Sequence, residues 1–279
     1  MYSDGDRLPS GTRIGRTALG VSDLTEMADF YRDVVGLTVL SRDDTRAVLG
    51  GVETPLLVLE HEPDAPTRHR SGAGLFHNAF RVPSRAALGD ALNRIRDHWQ
   101  LGGASDHGVS EALYLTDPEG NGIEIYRDYP REEWPRNDDG TVRIGTYHLD
   151  LEPIEAAAAG ESEAPAGTDV GHVHLEVSSL ASFREFYVET LGFEVQTELP
   201  AALFVSAGGY HHHLGANTWN NRTGPVDGRG LSWFEVVLPR TETLDAVRDR
   251  IAESEYAVTE TDDGISVTGP DEIEMRFRA

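Results

Sequence analysis

Apolar and polar positions alternate along much of this chain, in short runs divided by glycine- and proline-bearing turns and by stretches of helical spacing. Residues 13–21 alternate with period two and predict a strand. Residues 24–35 place apolar side chains at helical spacing and stop at Gly36, a position where glycine ends a helix well. Short strands follow near 37–41, 45–50 and 55–61. A second unit of the same order opens with a strand at 75–82 and a helix at 84–99, and closes with a strand at 122–127. A third unit covers about 170–220 and a fourth about 230–278.

The pattern also repeats as sequence. Phe30-Tyr31 and Gly36 recur as Phe186-Tyr187 and Gly192, and Pro83, Leu88 and Ile95 recur as Pro239, Leu244 and Ile251, always 156 residues apart. A period this long means duplicated domains, not a solenoid. The expected fold is α+β. Two tandem domains, each of paired βαβββ modules, would form a curved mixed sheet with helices on its outer face. Their limits are 13–128 and 170–279, with a connecting segment at 129–169. Within that segment Ala156 to Gly167, rich in Ala, Glu, Pro and Gly, reads as a mobile linker, and 142–151 as an added edge strand.

One stretch concentrates chemistry. Residues 105–126 run from a strand carrying Leu113-Tyr114 through the turn Asp117-Pro118-Glu119-Gly120-Asn121-Gly122 and return as Ile123-Glu124-Ile125-Tyr126. Alternation sends Ile123 and Ile125 to one face and Glu124 and Tyr126 to the other. Across such a hairpin Glu124, Tyr114 and His107 can converge, setting an acid–base group beside a carboxylate.

Composition narrows the chemistry. No cysteine is present, so disulfides, thiolate metal sites and cysteine nucleophiles are excluded, and any metal rests on His, Asp and Glu. The formal charge is −24, and all 24 cations are arginine. That charge repels nucleic acid and anionic membranes. No apolar run approaches a membrane span, and the N-terminus lacks a signal-peptide pattern, so a cytoplasmic protein is expected. Acidic residues are spread over the whole chain, which points to a halophilic protein whose self-repulsion is screened by concentrated salt. The sequence leaves open whether the chain forms a homo-oligomer.

The spacing His107, five residues, Leu113-Tyr114, two residues, Asp117-Pro118-x-Gly120, Glu124 resembles the signature of the extradiol ring-cleavage dioxygenases. These belong to the vicinal oxygen chelate superfamily, with glyoxalase I and the bleomycin-resistance proteins. One position departs, Ser105. The resemblance extends over nearly all the chain outside the linker and the first twelve residues, and is strongest to two-domain catechol 2,3-dioxygenases. It implies Fe(II), with Mn, Zn or Ni as other metals, and a small aromatic diol and O2 as substrates. It gives His107 a proton-transfer role and Tyr114 a hydrogen bond to substrate.

In this superfamily metal ligands come from the first and last strands of each module. In the second module these are His77 and Glu124. In the first module the opening position is Arg16, which has no lone pair for a cation and would suit an anionic ligand group or an ion pair with Glu124; Val58 or Glu60 fills the closing position. The second half offers His172, one of His211 or His213, and Glu274, with Trp233 where a fourth-module histidine would stand. That second set resembles glyoxalase-like isomerases or lyases. A metal-free binding protein of the bleomycin-resistance kind, with Arg16 on its ligand, is the third expectation.

Overall fold

The computed structural model describes residues 7–52 and 54–279; the first residues, on which the reading of the N-terminus rests, lie outside them. Four modules follow one another. The first contains β1 (Arg13–Val21), β2 (Thr38–Arg42), β3 (Arg46–Gly51) and β4 (Thr54–His61). The second contains β5 (Gly74–Arg81), β6 (Gly103–Asp106), β7 (Ser110–Thr116) and β8 (Gly122–Asp128). β9 (Asp169–Glu176), β10 (Glu194–Leu199), β11 (Ala202–Ser206) and β12 (Leu214–Asn217) make the third. β13 (Gly230–Val237), β14 (Val258–Thr261), β15 (Gly264–Thr268) and β16 (Glu274–Arg278) make the fourth.

Each module's helix lies between its first and second strands. Helix α1 (Leu24–Phe30) starts on Asp23, whose carboxylate accepts from the backbone N–H groups of Thr25 and Glu26. For α2 (Arg85–His98) the Ser84 hydroxyl accepts from the Ala87 N–H, a cap worth about 1 kcal/mol. In the connecting segment α3 (Glu152–Ala156) adds one short turn. Helices α4 (Leu180–Phe183) and α5 (Thr241–Ala252) serve the third and fourth modules. Both α1 and α4 run into a wider helical turn, Tyr31–Val35 and Arg184–Thr190, a shared irregularity that marks the duplication.

The modules combine as paired curved mixed sheets, as expected, but not in sequence order. One sheet has the strand order β14-β15-β16-β13-β1-β4-β3-β2 and joins the fourth module to the first. The other, β10-β11-β12-β9-β5-β8-β7-β6, joins the third to the second. The connecting segment at 129–169 therefore runs within one eight-stranded unit and does not divide the two. The seams are antiparallel, β1 against β13 and β5 against β9. Apolar faces of both sheets and their helices share one continuous core, with Tyr31 of the first module against Phe80 of the second at 6.3 Å.

The stretch read as a mobile linker is packed. Ala164 is buried, its N–H donates to the Gly36 carbonyl, and the Gly160 N–H reaches the Asp90 carboxylate at 2.7 Å. Its composition suggested a coil, yet Ala164 joins the core and several of its backbone N–H groups are bonded. Residues 142–151 add no strand; Tyr147 and Val142 form isolated bridges to Asp106 and Arg136.

Candidate metal centre and its cavity

Register explains the centre. Across three neighbouring strands, Glu124 on β8 lies opposite Ala79 on β5, and Ala79 lies opposite His172 on β9. His77 is two residues from Ala79 on the same strand and so on the same face. The small Ala79 leaves the space into which the three larger side chains turn. His77 Nε2 lies 3.0 Å from Glu124 Oε2, His172 Nε2 lies 3.2 Å from the same oxygen, and the two imidazole nitrogens are 3.2 Å apart. All three side chains are buried. Among the described residues this is the group of His and acidic side chains able to hold a metal ion.

The donor chemistry fits. Burial by itself would raise the Glu124 carboxyl, but the facing His172 and His77 outweigh it and hold it well below the usual carboxylate range. Burial lowers the His172 imidazole to about 4, against the pull of Glu124. Both shifts leave metal-binding lone pairs unprotonated at neutral pH. Three donors with edges near 3 Å can each sit about 2.1 Å from one cation, and two imidazoles with one carboxylate are the facial set of non-haem iron oxygenases.

Tyr114 is the neighbour of Glu124 on β7. His107, in the β6–β7 hairpin turn, places Nε2 2.6 Å from the Tyr114 hydroxyl and Nδ1 2.6 Å from the Gly145 carbonyl. A carbonyl can only accept, so Nδ1 carries the proton and Nε2 accepts from the phenol. Burial and then Glu124 push the Tyr114 phenol far up, keeping it a hydrogen-bond donor. Gly145 belongs to the connecting segment, which thus fixes the tautomer of a site residue.

The turn that delivers Glu124 is anchored from outside its own sheet. The Asp117 carboxylate accepts from the N–H groups of Glu119 and Asn121 and from Tyr31 Oη at 3.0 Å. The Glu119 carboxylate accepts from Ser22 N–H and pairs with Arg229. Gly120 has φ +87°, a conformation that glycine takes without strain. The motif residues around the carboxylate thus lock the two sheets together at the site.

A cavity of about 340 Å³ opens beside the three ligand candidates. It is also lined by His174, His212 and Phe76, which the sequence reading did not assign. His174 shares the face of His172 two residues on, and that signal was legible. His212 lies before β12, which begins at Leu214, and follows the turn made by positive φ at Gly208 and Gly209, so strand alternation does not set its direction. Phe76 neighbours His77 and by alternation would face away from it; an irregularity in the β5–β9 register between Leu75 and His77 turns it into the cavity.

The second proposed set does not assemble. Glu274 lies on β16 of the other sheet, bonded to Ser266 and Arg276 and a third exposed. His213 is buried with Nδ1 accepting the Ala207 N–H, and burial lowers it to about 3. Arg16 does not meet Glu124: it is bonded to Glu235 at 2.6 Å. The hollow of this other sheet carries other chemistry. Register pairs Glu235 with Arg276 as it pairs Ala79 with Glu124, so Arg276, not Glu274, is the counterpart of Glu124. Arg276 lies 4.0 Å over the Trp233 ring and Arg16 5.8 Å over it. Two guanidinium groups flanking an indole offer no lone pairs to a metal.

Paired βαβββ modules with a two-histidine, one-carboxylate group in one hollow define a metal-site fold of the vicinal oxygen chelate class. Residues 13–125 and 169–274 match the Glyoxalase/Bleomycin resistance protein/Dioxygenase superfamily, and the chain belongs to that family. It is 41% identical over 268 residues to the catechol-2,3-dioxygenase of Bacillus subtilis (strain 168), covering 93% of this chain and 94% of that one. It is 30% identical over 120 residues to biphenyl-2,3-diol 1,2-dioxygenase 3 of Rhodococcus globerulus, covering 42% and 63%. In fold it is similar to glyoxalase I of Zea mays, with a TM-score of 0.58 at 15% identity over 95% of this chain and 92% of that one. Within the family the chain is an enzyme of the extradiol dioxygenase kind. Among the described residues no helix is long and apolar enough to cross a membrane.

Proposed function

We propose that the hollow built by the second and third modules cleaves catechol-type diols next to the two hydroxyl groups, consuming O2, with both oxygen atoms entering the ring-opened product. His77, Glu124 and His172 would hold the metal, Fe(II) by preference. When bound, it supplies a Lewis acid and a template for the two substrates. The observation that carries the reading is the Tyr114–His107 pair set directly beside the three ligand candidates.

The remaining work falls to the side chains. Tyr114, held as a phenol, directs its proton at one atom, His107 Nε2, and can redirect it to a diol oxygen. His107 Nε2 can then accept the diol proton, its other nitrogen being occupied by the Gly145 carbonyl. Opposite, His212 has Nδ1 2.8 Å from His211 Nδ1, and His211 Nε2 lies 2.9 Å from the Asp128 carboxylate. His211 therefore donates to Asp128 and accepts from His212, which leaves His212 Nε2 unprotonated as a second base. Burial lowers both His212 and His174, so both are neutral in the cavity. The test is O2 uptake matched mole for mole with catechol by anaerobically purified, iron-loaded protein; no uptake with iron bound would end the proposal. Tyr114→Phe is expected to cut kcat/KM about 10²-fold with bound metal unchanged, measured by turnover and metal analysis on the same sample.

The protein is also read as halophilic, working in a salt-rich cytoplasm. With 24 arginines against 48 acidic residues, no pairing can neutralise more than half of the carboxylates. Raising KCl from 0.1 to 3 M should raise the melting temperature by roughly 5–10 °C, the equivalent of a few kcal/mol of relieved repulsion. An unchanged melting curve would remove this reading.

A further inference from the structure

The cavity has two unlike ends. One holds the ligand candidates with His107 and Tyr114. From His77 a run of rings leads away. The His77 and His174 rings are 4.8 Å apart, those of Phe76 and His174 are 5.0 Å apart, and the Trp219 ring is 5.3 Å from Phe76 and 5.5 Å from His174. Phe204 backs His174 at 5.4 Å. The run ends at Trp219, 48% exposed, and at Leu199 of the β10–β11 hairpin, also 48% exposed. Both line the cavity. Two large apolar side chains left half uncovered at the same rim are unusual on a surface this rich in charge. The Thr218 N–H donates to the Ala201 carbonyl, tying the loop that carries Trp219 to the hairpin that carries Leu199.

No lysine exists in the chain, and among the described residues no arginine lines this cavity. Arg68 and Arg222 are engaged with the buried Glu176, and Arg184 with Glu198, the neighbour of Leu199. A carboxylate on the substrate would therefore enter a site that already contains Glu124, find no cation, and pay for desolvation without a partner. The chain's −24 charge opposes its approach as well. A cavity of 340 Å³ falls at the small end of the roughly 300–1,000 Å³ of small-molecule sites. It has an apolar end that an unsubstituted diol bound at the ligands would not reach.

We infer that this enzyme is built for diols bearing an uncharged alkyl or aryl substituent, and that Trp219 and Leu199 determine that specificity by covering the substituent. The inference rests on the function proposed above and adds a substrate class to it. The substituent leaves the polar end over Phe76 and His174 and emerges between Trp219 and Leu199.

Matched pairs test it: 4-ethylcatechol against 3,4-dihydroxyphenylacetate, and 3-ethylcatechol against 2,3-dihydroxyphenylacetate. With iron-loaded enzyme, at least one ethyl compound should exceed catechol about tenfold in kcat/KM, and each ethyl compound its carboxylated partner by about a hundredfold. Trp219→Arg should narrow that gap at least tenfold, and Leu199→Arg, on the β10–β11 hairpin, should act in the same direction. Calorimetric titration of the same pairs into iron-loaded and metal-free protein reads the preference without turnover. If catechol is cleaved but the carboxylated diols match their ethyl partners within about threefold, the specificity inference falls and the dioxygenase reading stands. If no diol is cleaved yet the ethyl compounds bind tenfold more tightly than the carboxylated ones, the dioxygenase reading falls and the assigned ligand class stands. Absence of binding to any diol overturns both.

Discussion

Replacing His172 or Glu124 should empty the metal centre and stop the reaction, whereas replacing Glu274 should do neither. His172→Ala and Glu124→Ala each remove one corner of a three-donor triangle whose edges are 3.0–3.2 Å. Two donors remain, and a metal that supplies several kcal/mol of charge stabilisation is lost with the third. At 1.4 kcal/mol per tenfold, the expected fall in turnover is about 10³-fold or more. Metal analysis should show substoichiometric iron in both variants, and thermal melts of the metal-free forms should show that each still folds. Glu274→Gln is the informative control, because sequence position alone made Glu274 a candidate of equal standing. Its carboxylate is part of a surface pair with Arg276 in the other sheet. Iron content and kcat/KM should stay within about threefold, as for an exposed side chain remote from the chemistry. If Glu274→Gln abolished activity while Glu124→Ala kept it, the assignment of the working hollow would be wrong.

That assignment shows where a single sequence stops being informative. The strands, a helix end and the duplication are written in local pattern: Gly36 ends its helical segment with φ +88°, and 13–21 and 55–61 fall almost residue for residue on β1 and β4. His77, Glu124, His107 and Tyr114 were legible because one hairpin and one alternating strand hold them at fixed spacing. The partner for that hairpin was not legible. Which module's edge pairs with β5 is decided by long-range packing, and the β5–β9 seam brings in His172, whose sequence neighbourhood suggested a separate centre with Glu274. The offset of 156 also fails near the end of the chain. Loop lengths differ between the second and fourth modules, so the counterpart of Glu124 is Arg276, two residues beyond the expected place. Two of the residues that the reading missed lie at irregularities, Phe76 at a break in register and His212 after two left-handed glycines, where side-chain alternation cannot be counted.

The same clustering of buried imidazoles should make the metal-free protein sensitive to mild acid. His172 is lowered to about 4 and His213 to about 3, and His174 and His212 are also lowered, burial being the leading cause for all four. Their unfolded values lie near 6.5. Between about pH 6.5 and 4 the unfolded chain therefore binds protons that the folded chain refuses. The contribution of these groups to stability is complete above pH 6.5 and is lost as the pH falls through this window. Each fully excluded proton contributes about 1.4 kcal/mol per pH unit. Asp117 acts in the opposite sense: burial raises it to about 6, so its strain is relieved by acid, but it is one group against four. Glu124, Glu111 and Glu235 are lowered and lose their contribution only near and below the ordinary carboxylate range. Urea midpoints of the metal-free protein in 3 M salt should therefore hold steady from pH 8 to 7 and fall steeply from 6.5 to 5. His174→Gln, which keeps a hydrogen-bonding side chain opposite Asn217, should reduce the slope by about one proton. A saturating divalent cation should flatten the curve in proportion to its occupancy, since protons and metal compete for the His172 lone pair. A midpoint that stays constant between pH 7.5 and 5 would show that these imidazoles are reached by water and proton in the folded state, and that the hollow is open enough to hydrate its own ligands.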